Sequence, residues 1–187
     1  MKNALLFISI LFILMLQSCS SARKTAFAKT ESAAPSAIKS VVVIKKKVPA
    51  KFIDVKETKP GDLVNFSKTL LGVPYRYGSV KKENGFDCSG FVNYVFNHFN
   101  IKVPRTTVEF TNAGTEVTIN ESKPGDLILF TGSDAKSGVV GHMGIIIKNK
   151  KPDFNFIHAA SGAGVIISEM NAYFVPRFVK VIRVFAQ

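Results

Sequence analysis

Cysteine and histidine, the side chains best suited to nucleophilic attack and proton transfer near neutral pH, are sparse here: two Cys and three His in 187 residues. One cysteine stands in Gly85-Phe86-Asp87-Cys88-Ser89-Gly90-Phe91-Val92, after which apolar residues recur at 91, 92, 95, 96 and 99. That spacing is one face of an α-helix opened by Cys88 and Ser89. Unpaired backbone N–H groups and the positive end of the helix dipole favour thiolate over thiol at such a place, and the thiolate is the attacking form. Asp87, the nearest N-cap, pulls the other way by raising the thiol pKa, so a cationic partner is required. A free cysteine is more often a buried packing residue than a reagent. The helix start is what sets Cys88 apart.

Two histidines supply the partner. His142 stands at the mouth of one strand in Gly141-His142-Met143-Gly144-Ile145, and His158 stands near the far end of the next, Phe154 to Ala159. The midpoint of 142 and 158 is residue 150, inside the turn Asn149 to Asp153 between them, so in an antiparallel hairpin the two lie opposite or nearly so and share a face. A thiol needs one imidazole to hold its proton and a further polar group to fix that ring, which assigns His142 as base and His158 as its orienter. His98, on the later turns of the Cys88 helix, reads as an ordinary packed or surface histidine. Zinc is the competing chemistry for one Cys and two His, but no fourth ligand or water-activating Glu is evident. No metal and no cofactor are expected.

These residues require helices first and strands afterwards. Leu63, Phe66, Leu70 and Leu71 give a helical stripe behind Pro60-Gly61-Asp62, and Gly72-Val73-Pro74 stops it. A third helical segment is expected through Phe110. Leu127–Phe130, Met143–Lys148, Phe154–Ala159, Val165–Ser168 and Val179–Phe185 then read as short strands. The expected class is α+β, with helices packed on an antiparallel sheet of about five strands.

The first 58 residues read differently. Lys2, an apolar run from Ala4 to Leu16 and Gln17-Ser18-Cys19-Ser20 make an export signal over residues 1–18, the apolar run falling short of the roughly 20 residues a membrane-spanning helix needs. Leu16-Gln17-Ser18-Cys19 resembles a bacterial lipobox, which implies lipidation of Cys19. With Ser20 and Ser21 after it, the expected destination is the outer membrane, facing the periplasm. Residues 19–58 are expected to be a flexible basic tether, and 59–187 the folded domain. The net charge of +12 is concentrated in that arm: ten Lys/Arg against three Asp/Glu in residues 23–60, but fourteen against ten in residues 61–187. Without zinc-finger spacing or a basic helix interleaved with aromatics, nucleic acid is not an expected partner. Cys19 and Cys88 sit in unlike settings and are not expected to pair.

Taken in order, Tyr75-Arg76-Tyr77-Gly78, Phe86-Asp87-Cys88-Ser89-Gly90-Phe91-Val92, Pro104-Arg105-Thr106, Pro124 to Phe130, Gly141-His142-Met143-Gly144-Ile145 and Phe156-Ile157-His158-Ala159 resemble the NlpC-type cell-wall cysteine peptidases. The resemblance covers roughly residues 60 to 185. It implies a permuted papain-like fold that cleaves peptidoglycan stem peptides, with Cys88 as nucleophile, His142 as base and His158 as third member. It further implies that the Tyr75 ring and hydroxyl flank the nucleophile and that Asp87 and Ser89 line the substrate cleft. The implied bond is D-glutamyl to diaminopimelate, or else the D-alanyl to diaminopimelate crosslink. Ser79 stands where a second glycine is usual and Phe110 where Gln is frequent, changes that touch loop shape and cleft lining. The chain is expected to be a monomer. Two rivals share the same thiol: a module that grips wall peptide without turnover, and an acyltransferase.

Overall fold

The computed structural model describes residues 53–150 and 152–185. The expected leader, the Cys19 lipidation site and the tether up to residue 52 lie outside the described residues. Ile53 already belongs to the hydrophobic core, at 8% exposure, and Val55 packs against it.

Helix α1, Pro60–Lys68, starts where proline's missing N–H costs nothing, with Asp62 in its first turn and Lys68 in its last. It stops at Thr69, whose hydroxyl donates to the Phe66 carbonyl, and Gly72 then turns the chain at φ +83°. Two short strands, β1 (Val80–Lys81) and β2 (Gly85–Phe86), pair as a ribbon that feeds directly into helix α2, Cys88–His98. The i, i+3, i+4 spacing of α2 buries Phe91, Val92, Val95 and Phe96 against the sheet. The third helical segment expected from the sequence is a short 3-10 helix, Val108–Asn112.

The sheet has six strands, one more than expected. They are β3 (Thr115–Val117), β4 (Leu127–Thr131), β5 (Val140–Lys150), β6 (Asp153–Ala160), β7 (Gly164–Glu169) and β8 (Phe178–Arg183), in the order β3-β8-β4-β5-β6-β7, with every pairing antiparallel. A second 3-10 turn, Val175–Arg177, leads into β8. Strand alternation divides the apolar residues between two faces. Leu127, Leu129, Met143, Ile145, Ile157, Ala159 and Ile182 join the helices in one core. Ile128, Phe130, Ile146, Phe156 and Val181 form a second core on the other face, closed by Phe174. Among the described residues no helix is long and apolar enough to cross a membrane.

One buried ion pair ties β8 to the turn ahead of β4: Arg183 donates from Nε and Nη2 to Asp126 at 3.0 and 2.8 Å, and Asp126 also accepts the Lys123 N–H. Removing one member of a buried pair strands the other charge, whereas an exposed pair contributes little. Asp126→Ala is therefore expected to lower unfolding stability in urea by about 3–5 kcal/mol. Breaking the exposed Lys148–Asp153 pair with Lys148→Ala is expected to cost under about 1 kcal/mol.

Candidate active site

Asp87 sets the position of the cysteine. Its extended backbone makes it the N-cap of α2, and its side chain accepts the Gly90 N–H. The same carboxylate accepts the Gly78 N–H at 2.9 Å and the Arg105 guanidinium at 2.8 and 3.3 Å. Arg105 also donates to Ser89 Oγ, which in turn donates to Asp87. These bonds join the loop before β1, the head of α2 and the segment after it at one point. Gly90 is needed there, because a Cβ would lie 2.0 Å from the Ser79 carbonyl oxygen. Tyr75 reaches Cys88 through the backbone: Phe86 N–H donates to the Pro74 carbonyl and Arg76 N–H to the Phe86 carbonyl, so Tyr75 runs alongside the residues that lead into Cys88.

The opposite wall comes from the sheet. Ile145 pairs with Ile157, and continuing that register sets His158 across from Gly144 and diagonal to His142 on one face. Gly144 leaves the room this needs, since a Cβ would approach Phe156 Cδ2 at 2.9 Å and His158 Cβ at 3.2 Å. His142 Nε2 and His158 Nδ1 lie 2.8 Å apart, with the rings nearly perpendicular. His158 Nε2 lies 2.9 Å from Ser168 Oγ on β7. Both imidazoles pack against the second core, near Phe130, Phe156 and Phe174.

Cys88, His142, His158 and Tyr75 all line one cavity of about 410 Å³, and Cys88 Sγ sits 3.8 Å from the carbonyl oxygen of Gly141, the residue before His142. Arg177, Tyr173 and Thr131 line the same cavity. Asp87 and Ser89 are not on its wall. They are 7% and 4% exposed, and their polar atoms are engaged with Arg105 and the helix start, so they position the site instead of facing a ligand. Among the described residues no group of three or more His, Cys, Asp or Glu is placed to hold a metal ion. Ser168 and Arg177 are additions that sequence reasoning did not single out.

The electrostatics reverse one expectation. Burial, then the Asp87 charge, push the Cys88 thiol up to about 11; the N–H groups of Ser89 and Cys88 and the Arg105 cation pull it down, but by less. Burial takes His142 down to about 4. Burial, with the neighbouring His142, takes His158 down to about 3. The helix start thus does not hold a standing thiolate. These shifts favour a thiol and two neutral imidazoles on the cavity wall at neutral pH. Tyr75 is also raised, by burial first and by Cys88 and Asp87 next.

Because a raised pKa means that thiolate appears only as the pH climbs, iodoacetamide should alkylate Cys88 slowly at pH 7. The rate should then rise about tenfold per pH unit without levelling off until close to pH 11. A plateau near neutral pH would show that the sulfur is already ionised.

With this geometry in place, comparison with known proteins is specific. The model of the NlpC/P60 family matches residues 72–183. A probable endopeptidase of Haemophilus influenzae is 42% identical over 101 residues, covering 54% of this chain and 58% of that protein. The murein DD-endopeptidase MepS/murein LD-carboxypeptidase of Escherichia coli is 42% identical over 102 residues, covering 54% and 49%. The chain thus spans about half the length of the curated relatives it matches. A Bacillus cereus NlpC/P60 family crystal structure aligns with TM-score 0.62 at 27% identity, over 70% of this chain and 41% of that one. The NlpC/p60 domain of the peptidoglycan hydrolase SagA aligns with TM-score 0.55 at 30% identity, over 67% of this chain and 99% of that domain. By sequence and by fold, this chain belongs to the NlpC/P60 family.

Proposed function

We propose that the protein is a cysteine endopeptidase that hydrolyses peptidoglycan stem peptides, with Cys88 as nucleophile, His142 as general base and acid, and His158 as the residue that orients it. The observation that carries this reading is the meeting, in one cavity, of a thiol at a helix start and a hydrogen-bonded His142–His158 pair. The names of the Haemophilus and Escherichia relatives and of SagA, endopeptidase and peptidoglycan hydrolase, support it.

The chemistry follows from which ring nitrogens are spoken for. His142 Nε2 is engaged by His158, so Nδ1 is the nitrogen left for the thiol proton. For Nδ1 to be open, His142 carries its proton on Nε2 and donates to His158 Nδ1; His158 then carries its own proton on Nε2 and donates to Ser168 Oγ. One tautomeric order satisfies the whole chain. As sulfur attacks the scissile carbonyl, its proton passes to His142 Nδ1. Backbone N–H groups at the head of α2 and the Tyr75 hydroxyl stabilise the oxyanion. The carbon–nitrogen bond breaks as His142 returns the proton to the leaving amine, and water, deprotonated by the same ring, releases the thioester as free acid.

The favoured bond is D-glutamyl to diaminopimelate. A DD-endopeptidase among the relatives supports the D-alanyl to diaminopimelate crosslink as the second reading. A lipid on Cys19 and the basic segment after it would hold a monomeric domain at the outer membrane, facing the periplasm, within reach of the wall.

Mature protein purified from an envelope fraction, its first residue expected by mass to be acylated Cys19, should cleave defined muropeptides to products identifiable by mass spectrometry. Cys88→Ala should abolish cleavage with an unchanged circular dichroism spectrum; full activity in that variant would refute the assignment. Ser168→Ala, which frees the His158 tautomer, should lower kcat about tenfold and leave KM unchanged.

A further inference from the structure

Among the described residues that line the cavity, Arg177 is the one that carries a permanent charge, and no Asp or Glu shares the wall with it. Its guanidinium is held in place without being neutralised. Nη1 donates to the Tyr173 carbonyl at 2.8 Å, Nη2 to the Ser133 carbonyl at 3.3 Å, and its central carbon lies 3.9 Å from the centre of the Tyr173 ring. The contrast with the other partly buried arginines is sharp: Arg105 and Arg183 each close on a buried aspartate.

A second observation falls at the same place. Two buried side-chain polar atoms among the described residues have no hydrogen-bond partner, Arg177 Nε and Thr131 Oγ1, and both belong to residues of this cavity wall. Thr131 is 4% exposed, lines the cavity and sits at the β4–β5 register shift. A buried donor without an acceptor is costly, and Arg177 Nε is such a donor on a partly exposed cation that has no counter-charge on this wall. The group that answers both is an anion with two acceptor oxygens in one plane, the shape a guanidinium fork and a neighbouring hydroxyl accept best.

Resting on the peptidase reading above, we propose that Arg177 and Thr131 form a carboxylate subsite, and that Arg177 makes the enzyme selective for stem peptides whose side carboxylate is free over those in which it is amidated. D-Glutamyl and diaminopimelyl residues each carry a carboxylate outside the main amide chain, so the substrate class supplies the ligand. Arg177 acts in binding and takes no part in proton transfer.

The test uses the Cys88→Ala protein, so that ligand survives, and isothermal titration with a defined stem peptide as free acid and as its carboxamide. The acid form should bind at least tenfold more tightly. Arg177→Met should bring the two affinities together by weakening binding of the acid form; Arg177→Lys should keep part of the preference, and Thr131→Val should reduce it several-fold. Equal affinity for acid and amide in the Cys88→Ala protein, which needs no change at Arg177, overturns the subsite. So does an unaltered acid-to-amide ratio in Arg177→Met. Cleavage of both forms at equal rates by the unmodified protein removes the selectivity alone and leaves the peptidase reading standing; failure to bind or cleave either form removes both.

Discussion

The Asp87 carboxylate is the contact on which the rest of the site depends. It fixes the head of α2 by capping it, fixes the loop that carries Tyr75 through the Gly78 N–H, and draws Arg105 onto both. The cost is electrostatic, because a negative charge beside the thiol opposes the ionisation that makes sulfur a nucleophile. Arg105 offsets part of that charge, and the helix N–H groups offset more, but burial and Asp87 together prevail. Nucleophile placement has been obtained at the expense of nucleophile ionisation.

The histidine wall makes the complementary trade. Packing His142 and His158 into the aromatic core beneath Phe174 fixes their rings, and the same burial holds both neutral. A carboxylate in place of His158 would lie about 3 Å from an imidazolium, and two such charges at an effective dielectric of about 20 attract by roughly 5 kcal/mol. That attraction would favour a standing ion pair in the free protein. A neutral His158, held by Ser168, supplies direction without charge. On the mechanism proposed above, proton transfer from sulfur would be coupled to attack on a substrate that displaces water from the cavity, where developing charges would meet oriented N–H groups in place of solvent.

Much of this was legible before any coordinates. The 3.6-residue spacing after Cys88 marked α2, the Asp87 cap followed from position, and the Asn149–Asp153 turn placed His142 and His158 on neighbouring strands. They lie on a diagonal because the hairpin closes at Lys150–Asp153, past their midpoint, and the register shift between Ile146 and Lys148 is what returns them to one face; bulges leave no reliable mark in sequence. β1, β2 and β3 are two or three residues long, too short for a period of two to register. Ser168 and Arg177 were invisible for a related reason: what a serine on an edge strand or an arginine in a 3-10 turn can reach depends on inter-strand register. The thiolate expectation was not met because the helix N–H groups that favour it are local and readable, while the burial that, together with the Asp87 charge, outweighs them is tertiary.

The placement of charge around the cavity explains why binding and chemistry need not interfere. His142 is depressed by burial alone; the Arg177 cation on the same cavity wall is not among the causes. An arginine close enough to depress the imidazole would oppose protonation of the base in the step that matters, so a cation that organises the substrate must stand off from the ring that takes the thiol proton. The Tyr173 ring and the Tyr173 and Ser133 carbonyls hold Arg177 in place on the cavity wall. The sheet bears the two imidazoles, the helix start bears the thiol, and among the described residues the turn before β8 bears the fixed charge on the cavity wall. On the reading proposed above, substitution within that turn would alter which peptides enter the cavity while the sulfur and the two imidazoles keep their electrostatic setting.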